Sequence, residues 1–116
     1  MGSDPKADST TMHPTLNIDT SRHAGPRIVL TITGTLDMDT CPHITVTTDS
    51  LALGGLTLVL DLSAVTFIDS SGLNTLLTLR NRAKVEQGTL ELCGLPDQAL
   101  RLLDITGTRD LFTLTP

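Results

Sequence analysis

Apolar residues first fall into step at Leu16 and Ile18. After the turn-like stretch His23 to Pro26, the run RIVLTIT then sets Ile28, Leu30 and Ile32 on one face. A period of two marks a half-buried strand, so these stretches predict a hairpin. LTLVLDL, residues 56–62, is instead a continuous apolar run, which predicts a central strand covered on both faces. TLELCG (89–94) and LFTLTP (111–116) predict two further strands. Between them the period lengthens. From Ser70, the residues Leu73, Leu76, Leu77 and Ala83 recur at helical spacing, Arg80, Arg82, Lys84 and Glu86 take polar positions, and Gly88 offers a stop. PDQALRLLDITG predicts another helix, opened by Pro96 and closed by Gly107.

Residues 34–55 point both ways. Ile44, Val46 and Thr48 alternate as in a strand, yet Thr40 suits an N-cap, Pro42 a first helical turn, and Gly54 and Gly55 a stop. The end signals favour a helix. Residues 1–14 are polar and without period, so a disordered lead-in is expected there, with one domain over 15–116. Two strands followed by alternating helix and strand predict an α/β fold, a mixed sheet with parallel strands and crossover helices packed against it.

Composition narrows the function. At 116 residues the chain has room for one core, and with two Phe, no Tyr and no Trp that core is aliphatic. A net charge of -5 gives no grip on phosphate backbones, and single-stranded nucleic acid would lack aromatic platforms, so no nucleic-acid partner is expected. No apolar stretch approaches the ~20 residues that span a bilayer, and no secretory signal opens the chain. No membrane and a cytoplasmic location are expected. Cys41 and Cys93 lack metal-ligand spacing and suit small buried hydrophobes, so no metal or cofactor is expected.

Candidate chemistry gathers at DSSGL, where the central strand gives way to its crossover helix. The plainest role for Asp69, Ser70 or Ser71 is to cap that helix, but capping needs one side chain and three stand in a row. A serine nucleophile needs a base and an oxyanion hole. The stretch is no G-x-S-x-G elbow, and His13, His23 and His43 fall in the lead-in, a turn and a helix start. No enzyme activity is expected. Phosphate-binding glycine loops are absent from the sequence. What remains is a displayed hydroxyl at a helix N-terminus, where a phosphate would meet the helix dipole and free N–H groups. Asp37, in the loop after the second strand, would join that edge if the sheet brings the loops together.

On these residues the chain resembles the anti-sigma factor antagonists, or anti-anti-sigma factors, of the STAS domain superfamily. ITGTLDMDT (32–40), LTLVLDLSAVTFIDSSGL (56–73), GTLELCGL (88–95) and RLLDITGTRDLF (101–112) match in order. The resemblance implies a mixed sheet with helices on one side and a protein that binds a cytoplasmic anti-sigma factor, freeing a sigma factor for transcription. It also implies that this partner is a serine kinase that inactivates its antagonist at the serine after the aspartate, Ser70, with Ser71 as second choice. A serine phosphatase would reset it. The implied partner-binding residues are Asp37, Asp69, Ser70, Ser71, Gly72 and Asn74. Thr35 stands where relatives often carry an acidic residue, and the first helix is unusually rich in Thr. A competing expectation keeps the fold and makes the domain an unphosphorylated structural subunit of a lipid-transport or stress-signalling complex, its serines only caps.

Overall fold

The computed structural model describes residues 9–13, 15–23 and 25–115. Strands β1 (Ser9–His13), β2 (Leu16–His23) and β3 (Arg27–Leu36) lead into α1 (Cys41–Asp49) and β4 (Thr57–Ile68). These are followed by α2 (Ser70–Val85), β5 (Thr89–Cys93), α3 (Asp97–Thr106), a short 3-10 turn (Arg109–Leu111) and β6 (Thr113–Thr115). The six strands lie side by side in chain order. β1, β2 and β3 pair antiparallel, whereas β3 to β6 run parallel. Each parallel step moves the same way across the sheet. Right-handed crossovers therefore put all three helices on one face.

That face holds the core. Ile18, Leu30, Ile32, Leu36, Leu58, Leu60, Leu62 and Leu92 from the sheet join Ile44, Leu73, Leu76, Leu79, Ala83, Ala99 and Leu103 from the helices in one buried cluster. Each such Leu or Ile side chain contributes about 1.5–3 kcal/mol when fully buried, and their number offsets the absence of large aromatics. No described helix is long and apolar enough to cross a membrane.

Three expectations change. The expected unstructured lead-in contains β1, which pairs with β2 from Ser9↔Thr20 to His13↔Leu16. Without it the outer row of β2 backbone groups would stand unpaired, and β-branched Thr10 and Thr11 suit a strand. Residues 1–8 and 14 lie outside the described residues. Gly54 and Gly55 do not end α1, which stops at Asp49 with Ser50 at its C-cap. Gly88 does close α2, its N–H donating to the Ala83 carbonyl at 2.7 Å, with Gln87 as the left-handed residue at φ 63°. Gly88 also serves a close approach, since a Cβ there would stand 2.2 Å from the Leu53 carbonyl oxygen.

The central strand, expected over 56–62, continues to Ile68. Two register shifts interrupt its pairing with β3. Thr31↔Asp61 is followed by Thr33↔Ala64, and Gly34↔Val65 by Thr35↔Phe67. Each adds one residue to β4, as a β-bulge does. The residues that β4 gives to the core cluster consequently fall at 58, 60 and 62, then at 65 and 68, and the alternation that signals a strand is lost.

Candidate functional site

The bulged end of β4 delivers the chain to Asp69, which caps α2. Its backbone is extended, and its Oδ1 accepts from the Gly72 N–H at 3.0 Å. Capping is thus done by the aspartate, and neither serine is needed for it. Ser70 occupies the first helical position and is exposed; Ser71 is half-buried. Their own N–H groups have no intrahelical acceptor at these positions. Gly72 is buried, and Asn74, one turn beyond Ser70, is exposed.

β3 and β4 are parallel neighbours, so the loop after β3 arrives at the same edge. The Asp69 N–H donates to the Leu36 carbonyl at 3.1 Å, joining the two turns. Asp37 follows Leu36, but its carboxylate is engaged in its own loop, accepting from the N–H groups of Asp39 (2.9 Å) and Thr40 (3.0 Å). Partial burial pushes the Asp37 carboxyl up; hydrogen bonds, foremost from the Thr40 and Asp39 backbone N–H groups and then from the Thr35 hydroxyl, outweigh it and hold the group below its ordinary range. Thr40 stands at the N-cap of α1 yet makes no side-chain cap. Its hydroxyl donates to the Thr35 carbonyl at 2.7 Å and accepts from the Asp37 N–H at 3.0 Å, which fixes the loop.

Between the two helix starts lies an open groove of about 620 Å³. Met38, Cys41, Pro42, Thr45 and Val46 form one wall, and Ser70, Ser71, Asn74 and Thr75 the other. Met38 and Val46 are 74% and 72% exposed, an apolar rim beside the exposed Ser70 hydroxyl. Burial pushes the Cys41 thiol up; a hydrogen bond with Thr75 opposes the shift, while the Asp69 and Asp37 carboxylates add to it. The thiol is held neutral and is a poor nucleophile. Neither wall carries a histidine, a lysine or a carboxylate. The lining suits contact with a surface better than bond chemistry.

The edge thus brings together Asp69, Ser70, Ser71, Gly72 and Asn74, with Asp37 adjacent through Leu36. Sequence reasoning missed the wall contributed by α1. Its signal was present: Met38 and Val46 are large apolar residues in otherwise polar surroundings. It also missed Gln98, whose amide reaches the backbone of Ile68, one residue before Asp69.

Comparison with known proteins matches residues 17–116 to the model of the STAS domain. The chain belongs to the STAS domain family. A curated relative of this STAS domain is an anti-sigma-B factor antagonist of Bacillus subtilis, 29% identical over 100 residues, which span 86% of this chain and 91% of the relative. Another, from Listeria monocytogenes, is 27% identical over 85% of this chain and 88% of its own length. Among solved structures, an anti-sigma factor antagonist from Mycobacterium paratuberculosis superposes with a TM-score of 0.67 at 28% identity, covering 98% of this chain and 90% of that one. The anti-sigma factor antagonist SpoIIAA in its unphosphorylated form superposes with a TM-score of 0.68 at 14% identity, over 85% of this chain and 88% of that one. At that identity the second likeness speaks for the fold alone. It agrees with the mixed α/β sheet described above.

Proposed function

We propose that this STAS domain is an anti-sigma factor antagonist acting in the cytoplasm as a binding module without catalysis of its own. Its partner is an anti-sigma factor with serine kinase activity, docked on the Asp69–Asn74 edge and the rim of Met38 and Val46. Docking frees a sigma factor for transcription. Phosphorylation of Ser70 ends the association, and a serine phosphatase restores it. The relatives named above support the partner class. The observation that carries the switch is the division of labour at the helix start: Asp69 does the capping, leaving the exposed Ser70 hydroxyl unburdened. A phosphate there meets free N–H groups and is compatible with the fold, while its bulk and charge oppose a partner fitted to a small neutral side chain.

Incubation with the kinase and ATP, followed by intact-mass measurement, should add one phosphate to the wild type and to Ser71→Ala, and none to Ser70→Ala. Ser70→Asp should weaken binding to the anti-sigma factor by roughly a hundredfold, the scale of a misplaced interfacial charge. Phosphate on neither serine together with undiminished binding by Ser70→Asp would favour a structural subunit. Labelling of either serine by a fluorophosphonate probe would point to a hydrolase.

A further inference from the structure

β4 is a strand with a neighbour on only one side at its far end. β5 pairs with it from Thr57↔Thr89 to Asp61↔Cys93 and no further, whereas β3 accompanies it to Leu36↔Ile68. In a parallel strand the N–H and C=O of one residue point to the same side, and those of the next residue to the other. The Asp69 N–H points towards β3 and is taken by Leu36. The backbone groups of Ile68 therefore point away from β3, to the side where β5 has ended.

There, Gln98 in the first turn of α3 meets them both. Its Oε1 accepts from the Ile68 N–H at 2.9 Å, and its Nε2 donates to the Ile68 carbonyl at 2.7 Å. A side-chain amide carries the same donor and acceptor pair as a peptide unit. We propose that Gln98 is a positioning residue, its amide standing in for the missing strand neighbour at Ile68 and so fixing the direction in which the Asp69–Ser70 turn presents its hydroxyl. With Leu36 holding Asp69 from one flank and Gln98 holding Ile68 from the other, the residues before Ser70 are pinned on both sides. The role in phosphoryl transfer rests on the function proposed above; the positioning itself does not.

Two measurements on the full chain separate these points. Amide hydrogen exchange and chemical shifts by NMR should show the Ile68 amide exchanging about tenfold faster in Gln98→Leu, the scale of one lost hydrogen bond. Shifts should move at Ser70 to Gly72 but not in β2 or α1. With the anti-sigma factor kinase recovered from its own cells by the wild-type chain, kcat for phosphate transfer to Gln98→Leu should fall about tenfold and KM should rise by less than about threefold, because the Met38 and Val46 part of the docking surface is untouched while the hydroxyl is less well aimed. Gln98→Glu keeps the acceptor and loses the donor at neutral pH. It should show the same loosening, reversed as its carboxyl protonates near pH ~4 and again donates to the Ile68 carbonyl. That reversal decides the matter should Gln98→Leu fail to fold. Unchanged Ile68 exchange and Ser70 shifts would overturn the proposal, as would protection lost equally across the sheet. A wild-type chain that accepts no phosphate yet shows the local effects leaves the positioning role standing and removes the switch.

Discussion

At Gly72 the serine turn has no room to spare. A Cβ there would stand 2.7 Å from the Leu36 carbonyl oxygen, 2.8 Å from Ile68 Cγ2 and 2.9 Å from Leu36 Cβ. That carbonyl is the acceptor for Asp69, so it cannot swing aside without releasing the turn. Gly72→Ala should destabilise the fold by about 1–3 kcal/mol, the usual range for overpacking, read as a lower urea midpoint. A change of less than about 0.5 kcal/mol, the ordinary surface-substitution range, would show that the turn gives way at little cost. A cap at this turn was legible in the sequence, although not which of Asp69, Ser70 and Ser71 supplies it; the tight packing of Gly72 was not, because it depends on Leu36 from another strand. Gln98 was not legible, since its role exists only where a strand has lost its neighbour.

The wall opposite the serines is a helix built of residues that weakly favour helices. In α1 the hydroxyls of Thr47 and Thr48 bond back to the carbonyls of His43 and Ile44, each at 2.9 Å, and no basic residue sits in its last turn. The missing positive charge comes from α2. Arg82 donates through Nη1 to the Thr48 carbonyl at 2.7 Å and through Nη2 to the Leu51 carbonyl, and its Nε donates to Glu86 Oε2 at 2.7 Å. Glu86 Oε1 in turn accepts from the Leu53 N–H at 3.1 Å. Arg82→Met should cost about 2 kcal/mol, the value of hydrogen bonds to a charged group, with loss of exchange protection concentrated in α1.

The hydrogen bond from Arg82, with that of the Leu53 backbone, holds the Glu86 carboxyl below its ordinary 4.5 despite some desolvation. A depressed folded value favours the ionised native state. Its contribution is full above that ordinary value and disappears as pH falls through the folded one. Between about pH 6 and pH 3 the urea midpoint should therefore fall more steeply for the wild type than for Glu86→Gln; parallel curves would refute the coupling. The sequence yielded α1 through Pro42 in its first turn, against its own β-branched interior, although the helix stops at Asp49 and not at Gly54–Gly55. Arg82 remained invisible because it acts from another helix.

In the whole molecule one aliphatic cluster runs from the β2–β3 hairpin to α3, with no second core beside it among the described residues. Unfolding should accordingly be one cooperative step. Lacking Trp and Tyr, the chain would be followed by far-UV circular dichroism and hydrogen exchange, with a urea m-value of about 1–3 kcal/mol/M; separate melting of the hairpin would contradict this. From β2 onward the order of strands and helices was legible because turns and periods mark it locally; β1, without such a period, was not. The reach of β4 was not, because its two bulges turn a period of two into steps of three.

Those bulges also keep the faces of the two strands matched. Where β4 has gained one residue, at Gly34↔Val65, Val65 is still a core residue; where it has gained two, at Leu36↔Ile68, Ile68 is one as well. Each bulge leaves two neighbouring residues exposed, Ser63 and Ala64, then Thr66 and Phe67, and so absorbs its insertion on the spot. Removing a single residue from either pair would leave β4 one residue short of the end of β3. The Asp69 N–H would then no longer meet the Leu36 carbonyl, and the serines would be drawn back from the rim they now share with α1.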